Sequence, residues 1–363
     1  MRDNEKDLAD EEPGGESKND NAANQGKQND EDGGKEEVTQ VGKPDYHFEG
    51  HTACQTCGWT KNAVTGDGKC YKYAFYGIES HRCVQMTPVV TCNERCVFCW
   101  RDHEGHAWEV DAKWDDPSEV ADASIELQKK LLGGYKGNDE VPMERFEQAM
   151  KPRHVAISLD GEPTLYPYLP ELIEEFHDRG ITTFLVSNGT DPEMLERCDP
   201  TQLYVSVDAA DRNTFDEVVR AVDDDAYDQL METLDVLSRK DETRTVIRTT
   251  LMDGWNMQNT EGYTELFDRA EVDFVELKAY MHVGHSQSRL DRDAMPEHEK
   301  VKEFAYEIQE RLDGYGTFKE VPRSRVAMLS RHEDTWVPEL KPGSDFWKQD
   351  ELAPEHKKKA RSD

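Results

Sequence analysis

The sequence has no long hydrophobic stretch. Nowhere in its 363 residues is there a run approaching the roughly 20 apolar residues of a membrane-spanning helix. The chain does not open with the basic and then apolar pattern of a signal peptide. Basic residues are scarce as well, since 44 lysines and arginines stand against 77 aspartates and glutamates, for a formal net charge of −33. We therefore predict a cytoplasmic protein with no membrane partner, long enough for one large domain with extensions.

Apolar residues are almost absent from the beginning of the chain, which consists mainly of Asp, Glu, Asn, Gly, Lys and Gln. Such a segment cannot bury enough surface to offset the entropy of ordering, so residues 1–43 are predicted to form a disordered acidic tail. Acidic residues continue along the rest of the chain, which favours a halophilic cytosol over a basic partner as the origin of the charge. A mobile tail is also predicted at residues 346–363.

Eight cysteines in such a chain indicate metal binding or catalysis rather than disulfides. Cys92, Cys96 and Cys99 form a C-x3-C-x2-C pattern with an aromatic residue directly after it. Three thiolates suit a [4Fe–4S] cube, whose irons usually take one cysteine each, and they leave one iron open for a small molecule. Zinc is the alternative, although it favours paired C-x2-C units with a fourth ligand. The pattern resembles the radical-SAM signature, in which the open iron binds S-adenosylmethionine.

A second group of cysteines precedes this pattern. The intervals from Cys57 to Cys70 and from Cys70 to Cys83 both span thirteen residues, among aromatic residues and glycines. The even spacing suggests a second cluster, with zinc as the alternative. Cys54 forms C-x2-C with Cys57 and has three interpretations: a fourth ligand, a bystander or part of a zinc site. Cys198 is interpreted as a packed thiol.

Beyond the cysteines, short apolar runs alternate with amphipathic stretches. The expected strands lie shortly before Cys92 and at residues 154–159, 181–186, 203–207, 245–251 and 272–277. The expected helices lie at residues 117–132, 169–179, 192–197, 227–238, 263–269 and 296–312. Strands that alternate with helices indicate a parallel sheet with right-handed crossovers. We therefore predict an α/β fold, a partial open (β/α)6 barrel of the radical-SAM kind.

Three parts are predicted between the two tails. A cysteine-rich second-cluster region covers residues 44–84, where glycines favour turns over long helices. The partial barrel covers residues 85–313. A C-terminal extension at residues 314–345 keeps some apolar pattern and is expected to pack on the barrel.

Four polar residues follow predicted strands, at the end of a parallel barrel where active sites gather. Gly161 and Glu162 follow one strand, where the glycine allows close backbone approach to a ligand and the carboxylate can pair with an ammonium group. Asn188 and Asp208 follow the next two strands, and Asp208 is placed to accept from ribose hydroxyls. Each signal alone is weak. After a C-x3-C-x2-C pattern, they predict an S-adenosylmethionine pocket.

Lys72 is a further candidate, because it lies two residues after Cys70 among aromatic side chains. A lysine that is partly desolvated or near other cations can have a lowered pKa and act as an amine nucleophile. It then forms a Schiff base with a carbonyl compound. The alternative is an ordinary surface lysine.

Longer motifs extend the resemblance beyond the superfamily. They are Cys70-x-Lys72-x-x-Phe75-Tyr76-Gly77-Ile78, Ser158-Leu-x-Gly161-Glu-Pro-Thr-Leu-Tyr-Pro167, Ser187-Asn-Gly-Thr190, Leu203-Tyr-x-Ser206-x-Asp208-Ala209 and Lys278-Ala-Tyr-Met-His-Val-Gly284. Together with the cysteines, they resemble the tRNA 4-demethylwyosine synthases across most of the chain. The resemblance is to the archaeal form, which lacks the flavodoxin-like domain of eukaryotic relatives. We therefore expect a separate electron donor of ferredoxin or flavodoxin type.

The resemblance implies a reaction, in which pyruvate condenses with N1-methylguanosine-37 of tRNA-Phe to give tricyclic 4-demethylwyosine. It implies S-adenosyl-L-methionine and two [4Fe–4S] clusters as cofactors, and a monomer as the active form. The two clusters are expected to face one another across the mouth of the barrel, with the lysine between them. The implied roles are cluster binding for Cys92, Cys96 and Cys99, second-cluster binding for Cys57, Cys70 and Cys83, the pyruvate Schiff base for Lys72, and S-adenosylmethionine positioning for Gly161, Glu162, Asn188 and Asp208.

The acidic composition conflicts with tRNA binding, because phosphate contacts dominate affinity for nucleic acids. A local basic patch near the barrel mouth is one solution, formed by Lys61, Lys69, Arg82, Arg95, Arg101, Arg145, Lys151 and Arg153. At halophile salt, charge attraction is screened within a few ångströms. We therefore expect shape, stacking on Trp59 or Trp255, and extrusion of the target base to contribute more to recognition.

Two other functions are compatible with parts of the pattern. A different radical-SAM activity, such as glycyl-radical activation, needs neither Lys72 nor the early cysteines. A zinc-bearing RNA-binding module without catalysis needs no iron. Metal content separates the second alternative from the enzymes, and substitution of Lys72 separates the first.

Overall fold

A ten-stranded sheet organises the described residues, 46–103, 113–139 and 141–341 of the computed structural model. The sheet is not closed, because its strands form a linear order with two free edges: β1-β2-β3-β4-β5-β6-β7-β8-β10-β9. The strands are β1 (His47–Glu49), β2 (Thr52–Cys54), β3 (Cys83–Thr87), β4 (His154–Ile157), β5 (Thr182–Ser187), β6 (Gln202–Ser206), β7 (Arg244–Leu251), β8 (Phe274–Ala279), β9 (Thr317–Val321) and β10 (Val326–Ser330).

The central six strands, β3 to β8, are all parallel and follow one another in chain order. This arrangement needs a crossover after each strand, and helices supply most of them. The helices are α1 (Gly58–Thr65), α2 (Tyr71–Tyr76), α3 (Pro117–Leu132), α4 (Met143–Ala149), α5 (Leu169–Asp178), α6 (Pro192–Arg197), α7 (Arg212–Val218), α8 (Ala226–Leu237), α9 (Thr260–Ala270) and α10 (His298–Gln309). The predicted partial (β/α)6 barrel is confirmed.

Local sequence signals explain why most element boundaries agree with the prediction. Helix α3 begins after Asp116, which accepts from Ser118 N over 3.0 Å and forms a capping box with Glu119. In the cysteine-rich region, α1 and α2 are short because Gly66 and Gly77 end them in the left-handed conformation, at φ 95° and 81°. The strand nearest Cys92 ends early, at residue 87. The next residue is a proline, which has no N–H for the ladder.

Both edges of the sheet are extended by antiparallel strands that periodicity did not predict. Strands β1 and β2 form a hairpin, and β2 pairs with β3. At the other edge β10 pairs with β8, and β9 pairs with β10. These strands are three to five residues long, too short for alternation of apolar and polar side chains to be distinctive. The C-terminal extension thus joins the sheet itself.

The barrel has an outer core beneath the helices and an inner one. Tyr71, Phe75 and Tyr76 of α2 pack against inward-facing aromatic residues of the sheet, including Phe184 and Tyr204. Helix α2 therefore fills one end of the barrel interior. No helix in the described ranges is long and apolar enough to cross a membrane. The two predicted tails, residues 1–43 and 346–363, lie outside the described residues.

Candidate active site

The loop after β3 carries Cys92, Cys96 and Cys99, and its backbone is held by neighbouring elements. Val97 N donates to Val218 O over 2.9 Å, and Cys99 N donates to Cys96 O over 3.1 Å. The Arg289 guanidinium donates to the carbonyl oxygens of Val97 and Cys99. These contacts come from distant parts of the chain. They fix the loop at the carboxyl end of the parallel strands, where the sequence predicted the site.

The three thiols of this loop act on one another electrostatically, and burial raises the pKa of the Cys92 and Cys96 thiols well above the usual value. Thiolates form in such a place only with a compensating positive charge, as an iron–sulfur cluster provides. Across the described ranges, no three His, Cys, Asp or Glu side chains approach closely enough to hold a single metal ion. A cube has no such requirement, since each thiolate binds a different iron. The residues therefore fit the predicted cluster.

Gly161 brings the turn after β4 against the cysteine loop. Its φ is +68°, and a Cβ there would meet Val89 O at 2.3 Å and Thr91 O at 2.5 Å. Glu162 N donates to Thr91 O over 2.7 Å at the same contact. Only glycine allows both the positive φ and this approach. The turn and the cysteine loop consequently form one surface.

The carboxylate of Glu162 is 2 % exposed and accepts four hydrogen bonds from the protein itself. Its Oε1 accepts from Thr164 N, Thr164 Oγ1 and Ser187 Oγ, at 3.1, 2.9 and 2.8 Å. Its Oε2 accepts from Asn188 N over 2.8 Å. Glu162 thus links the ends of β4 and β5. These hydrogen bonds hold the pocket wall in position, and they place a carboxylate in that wall.

Asn188 and Asp208 lie at the ends of the next two strands, as predicted. The Asn188 amide donates to Asn93 Oδ1 over 2.8 Å and so contacts the cysteine loop. Asp208 Oδ1 accepts from Thr250 N over 2.5 Å, and burial raises the pKa of the carboxyl to about 6. Both side chains therefore face the cysteines across one cavity wall.

Glu94 is a member of this site that the sequence reasoning missed. It lies inside the C-x3-C interval, is buried, and accepts from the Cys96 thiol over 3.2 Å. It interacts electrostatically with Glu162 and Asp208, and burial together with those charges raises its pKa well above normal. Three buried carboxylates at one place favour a ligand with positive groups. The acidic residue between the first two cysteines was the available signal.

The early cysteines also come together, at the amino end of β3. Cys57 and Cys70 cap the starts of α1 and α2, and Cys83 is the first residue of β3. Cys83 and Cys70 each interact electrostatically with the other two thiols of the group. Cys54 points elsewhere: it is buried in the outer core, its thiol donates to Ser124 O over 3.7 Å, and burial raises its pKa to about 12. This placement favours the bystander interpretation.

The two cysteine groups lie at opposite ends of β3, so they are separated along the strand and not only across the barrel mouth. Strand β3 contains five residues. At about 3.3 Å per residue, its ends are about 13 Å apart. One group lies at the carboxyl end and the other at the amino end, with the barrel interior between them.

Lys72 lies inside that interior. Its Nζ is 4.3 Å from the centre of the Tyr204 ring and 5.6 Å from that of Phe184, and both rings face inward. Burial lowers the pKa of its ammonium group, although Glu276 and two cysteines oppose the change. The predicted lysine therefore lies in the barrel interior beside Cys70 and Cys83, and it is not an ordinary surface side chain.

Other polar side chains share the interior with the lysine. Glu276, which the sequence reasoning did not single out, accepts from Tyr71 Oη and Tyr76 Oη over 2.9 and 2.6 Å. Arg248 lies on the neighbouring strand, paired in register with Glu276. Lys278 donates to Ser324 O over 2.8 Å, and burial lowers its pKa to about 8. A buried acid in a strand gives no pattern that distinguishes it from a surface residue.

Part of the expected basic patch is unavailable for tRNA. Arg82 and Arg153 are buried on either side of Glu79, at 3.6 and 3.8 Å. Arg101 is buried beside Asp160 at 3.9 Å. These three arginines compensate internal carboxylates, so they support the fold and do not form a phosphate-binding surface.

Aromatic exposure also differs from the expectation. Trp59 lies beneath the Arg323 guanidinium, and Trp255 packs against the outer core. Trp100, directly after the last cysteine of the signature, is 43 % exposed. The guanidinium of Arg101 stacks on it at 3.2 Å from the ring centre. Trp100 thus presents an aromatic surface beside the cysteine loop.

Comparison with known proteins gives consistent matches. The model of the radical SAM superfamily matches residues 86–267, and the model for wyosine base formation matches residues 269–331. The chain is 46% identical over 299 residues to the S-adenosyl-L-methionine-dependent tRNA 4-demethylwyosine synthase of Pyrococcus abyssi, covering 80% of this chain and 87% of that protein. The Methanocaldococcus jannaschii protein of the same name is 42% identical over 305 residues, covering 82% and 96%.

A solved structure is similar over the same range. It is described as TYW1 with a lysine-pyruvate adduct bound, and it superposes with a TM-score of 0.73 at 41% sequence identity. The match covers 80% of this chain and 93% of that chain.

Proposed function

The chain belongs to the S-adenosyl-L-methionine-dependent tRNA 4-demethylwyosine synthases of the radical SAM superfamily, and on that premise we propose how its own residues carry out the reaction. The substrates are pyruvate and the N1-methylguanosine-37 of tRNA-Phe, and the product is the tricyclic 4-demethylwyosine. Family membership argues against the two alternatives, glycyl-radical activation and a non-catalytic zinc-bearing module. The position of Lys72 in the barrel interior, beside Cys70 and Cys83, is the observation that supports the proposal most directly.

Cys92, Cys96 and Cys99 hold the [4Fe–4S] cluster that S-adenosylmethionine binds. When bound, the cluster and its ligand supply a one-electron reduction and a 5′-deoxyadenosyl radical that abstracts hydrogen. Glu94, Glu162 and Asp208 surround that position with carboxyl groups whose pKa values burial raises, and the sulfonium and ammonium groups of the ligand would favour their ionised forms. Gly161 and Asn188 shape the wall that keeps the ligand against the cysteine loop.

Lys72 forms the imine with pyruvate. Its neutral amine attacks the carbonyl carbon, a C=N bond replaces the C=O bond, and one water leaves. Desolvation favours the neutral amine, because burial penalises the ammonium form. The Tyr204 ring beneath Nζ restrains the side chain toward the barrel interior. The imine carbon is thereby held on the path between the two cysteine groups.

Cys57, Cys70 and Cys83 hold a second [4Fe–4S] cluster at the amino end of β3. Support comes from three thiols that interact at one place without converging on a single ion position. Two of the three precede helix starts, where backbone N–H groups favour thiolates. These cysteines would hold it on the Lys72 side of the interior, since Cys70 and Cys83 both act electrostatically on Lys72, and it would supply a metal site for the pyruvate.

We further propose that tRNA reaches the site from the carboxyl end of the strands, where Trp100 is exposed. The target base must leave its stack to reach a barrel interior. The enzyme works in the cytoplasm as a monomer, and a separate ferredoxin- or flavodoxin-type protein supplies its electrons. The high acidic content fits a requirement for salt, since self-repulsion is screened at high ionic strength.

The test is anaerobic incubation of the reconstituted chain with reductant, S-adenosylmethionine, pyruvate and methylated tRNA, followed by nucleoside mass spectrometry. We expect the tricyclic base with the native chain and with Lys130→Ala, which removes an exposed lysine of α3. We expect none with Lys72→Ala, while 5′-deoxyadenosine is still released. Product formation by Lys72→Ala at the native rate contradicts the imine. Absence of product from the native chain, with iron content verified, contradicts the function itself.

A further inference from the structure

Within the described residues, the Arg248 guanidinium has a buried donor that no protein group satisfies. It lies on β7, paired in register with Ser206 on one side and Glu276 on the other. The unsatisfied donor is Nε. Leaving a buried N–H donor of a guanidinium unpaired is costly. Such a group indicates a ligand that completes its hydrogen bonds.

The nearby carboxylate does not fill this role. Glu276 already accepts from the hydroxyl groups of Tyr71 and Tyr76, one on each oxygen. It acts on Arg248 electrostatically, but among the described residues no ion pair within 4.0 Å joins them. Both oxygens of the carboxylate are thus already used by tyrosines of α2.

The balance of charge in the interior is positive, in contrast to the chain as a whole. Lys72, Arg248 and Lys278 all act on this region, and the carboxylates that act on them are Glu276 and, toward the cysteine loop, Asp208. The formal net charge of the chain is −33. Retaining three basic side chains beside two acids, inside so acidic a protein, favours an anionic ligand in the interior.

The register places Arg248 close to the reacting amine. Side chains two residues apart on a strand share a face, so Ser206 lies one layer above Tyr204, and Arg248 is paired with Ser206. The Lys72 ammonium group lies 4.3 Å from the centre of the Tyr204 ring. The guanidinium and the amine therefore occupy adjacent layers of the same cavity.

We propose that Arg248 binds the carboxylate of the α-keto acid whose carbonyl carbon reacts with Lys72. The inference rests on the proposed imine. In an α-keto acid the carboxylate is bonded directly to the carbonyl carbon. One molecule can therefore contact Arg248 through its carboxylate and Lys72 through its carbonyl carbon, in adjacent layers. A guanidinium matches a carboxylate through two parallel N–H···O bonds, which also fixes the orientation of the carbonyl toward the amine.

Lys278 is the less suitable anchor, since its Nζ already donates to Ser324 O over 2.8 Å. A second carboxylate is nevertheless available, that of the methionine part of S-adenosylmethionine. Arg248 acts electrostatically on Asp208 as well as on Tyr71. Asp208 belongs to the cysteine-loop end and Tyr71 to the α2 end. The register with Glu276 and Ser206 favours the keto acid, and the experiment must distinguish the two sources.

The experiment traps the imine on the full-length, anaerobically reconstituted protein. Pyruvate is titrated in the presence of cyanoborohydride, and mass spectrometry measures the labelled fraction of the Lys72 peptide. Hydroxyacetone, a neutral ketone, is titrated in parallel. The variants are Arg248→Gln and Arg248→Lys. Arg239→Gln is the matched control, because it removes a guanidinium from an exposed position that pairs only with a surface glutamate among the described residues.

We expect Arg248→Gln to raise the pyruvate concentration for half-maximal labelling by about 10- to 100-fold, since charge-assisted hydrogen bonds are lost. The corresponding concentration of hydroxyacetone should change little. The decisive quantity is therefore the ratio of the pyruvate concentration to the hydroxyacetone concentration for half-maximal labelling. This ratio also cancels any change in the reactivity of the amine. Arg248→Lys, which keeps the charge but loses the fork, should fall between Arg248→Gln and the native protein. Arg239→Gln should match the native protein.

Three results overturn the inference. One is an equal change for both ketones, which indicates an effect on the amine or the fold. Another is unchanged pyruvate labelling with weakened S-adenosylmethionine binding in equilibrium dialysis, which assigns the guanidinium to the other carboxylate. The third is absence of Lys72 labelling in the native protein. That result contradicts the proposed imine itself, and is therefore distinguishable from failure of the Arg248 assignment. If Arg248→Gln does not fold, the ratio measured with Arg248→Lys decides.

Discussion

Tyr76 donates its phenolic hydroxyl to Glu276 over 2.6 Å, although the two residues are 200 positions apart in the chain. Tyr71, on the same helix, donates to the other oxygen of that carboxylate over 2.9 Å. The buried acid on β8 thus fastens α2, the helix that carries Lys72, to the inside of the barrel. This attachment holds Lys72 in the barrel interior, although the sequence alone does not distinguish it from a surface lysine.

We expect Tyr76→Phe to lower the free energy of unfolding by about 1–3 kcal/mol, because it leaves a buried carboxylate with one donor fewer. Chemical denaturation of the native chain and the variant measures the difference. Tyr306→Phe is the matched control, since Tyr306 is 43% exposed and stacks on Phe318. An effect for Tyr76→Phe no larger than that of the control would show that the hydrogen bond contributes little.

Iron content tests the second cluster. We expect Cys57→Ala to reduce the iron bound after anaerobic reconstitution from about eight atoms per chain to about four, since one cube loses a ligand. Cys54→Ala should retain about eight, because its thiol points into the outer core and donates to Ser124 O. Equal iron in the two variants, at either level, would contradict the assignment of these cysteines.

Gly161→Ala should disrupt the S-adenosylmethionine site. A Cβ at this φ of +68° would meet the carbonyl oxygens of Val89 and Thr91 below 3.0 Å, so the cysteine loop must shift. A displacement of about 1 Å near a reaction centre costs on the order of 100-fold in rate, measured here as 5′-deoxyadenosine release. Gly316→Ala, where nothing lies within 4 Å of the added carbon, is the control. If Gly161→Ala releases 5′-deoxyadenosine at the native rate, the prediction is contradicted.

The stability of the cofactor-free chain should depend on Asp208 and pH. Burial raises the folded-state pKa of this carboxyl to about 6, above its usual value of 3.8. The folded state therefore binds more protons than the unfolded state between these values, and stability falls as pH rises through that range. Asp208→Asn removes the free-energy cost of ionising this buried carboxyl group.

We expect Asp208→Asn to raise the free energy of unfolding by about 1–3 kcal/mol at pH 7.5, and to have little effect near pH 4. Denaturation curves at the two pH values provide the measurement. Asp224→Asn, at an exposed position, corrects for the change in net charge. A gain of the same size at both pH values would indicate a cause other than the buried charge.

Trp100 should contribute to tRNA binding. Stacking of a base on an aromatic side chain contributes about 1–3 kcal/mol. Trp100→Ala is therefore expected to raise the dissociation constant for tRNA by about 5- to 150-fold. Filter binding or fluorescence anisotropy at fixed salt measures the change. Trp59→Ala should have a smaller effect, because Trp59 is half-buried whereas Trp100 is exposed. The reverse order of the two variants would place the docking surface at the other end of the barrel.

Prediction from sequence succeeded where the signal was local. Helix α3 was located by Asp116 and the glycines after it, and the cysteine signature by its spacing. It failed where partners are distant. The short edge strands give no distinctive alternation. Glu276 and Glu94 became recognisable only when their neighbours were known. Arg82 and Arg153 looked like surface cations, yet both compensate Glu79 in the interior.

The sequence by itself determined the family, the alternation of strands and helices, and which thiols belong together, because these depend on spacing along the chain. Only the tertiary structure decided where the groups lie: the two cysteine groups at opposite ends of β3, Lys72 over the Tyr204 ring, and Arg248 in the adjacent layer. The physical reason is that burial and pairing join residues that are far apart in the chain, such as Tyr71 and Glu276, which are 205 positions apart. No local pattern encodes such a distance.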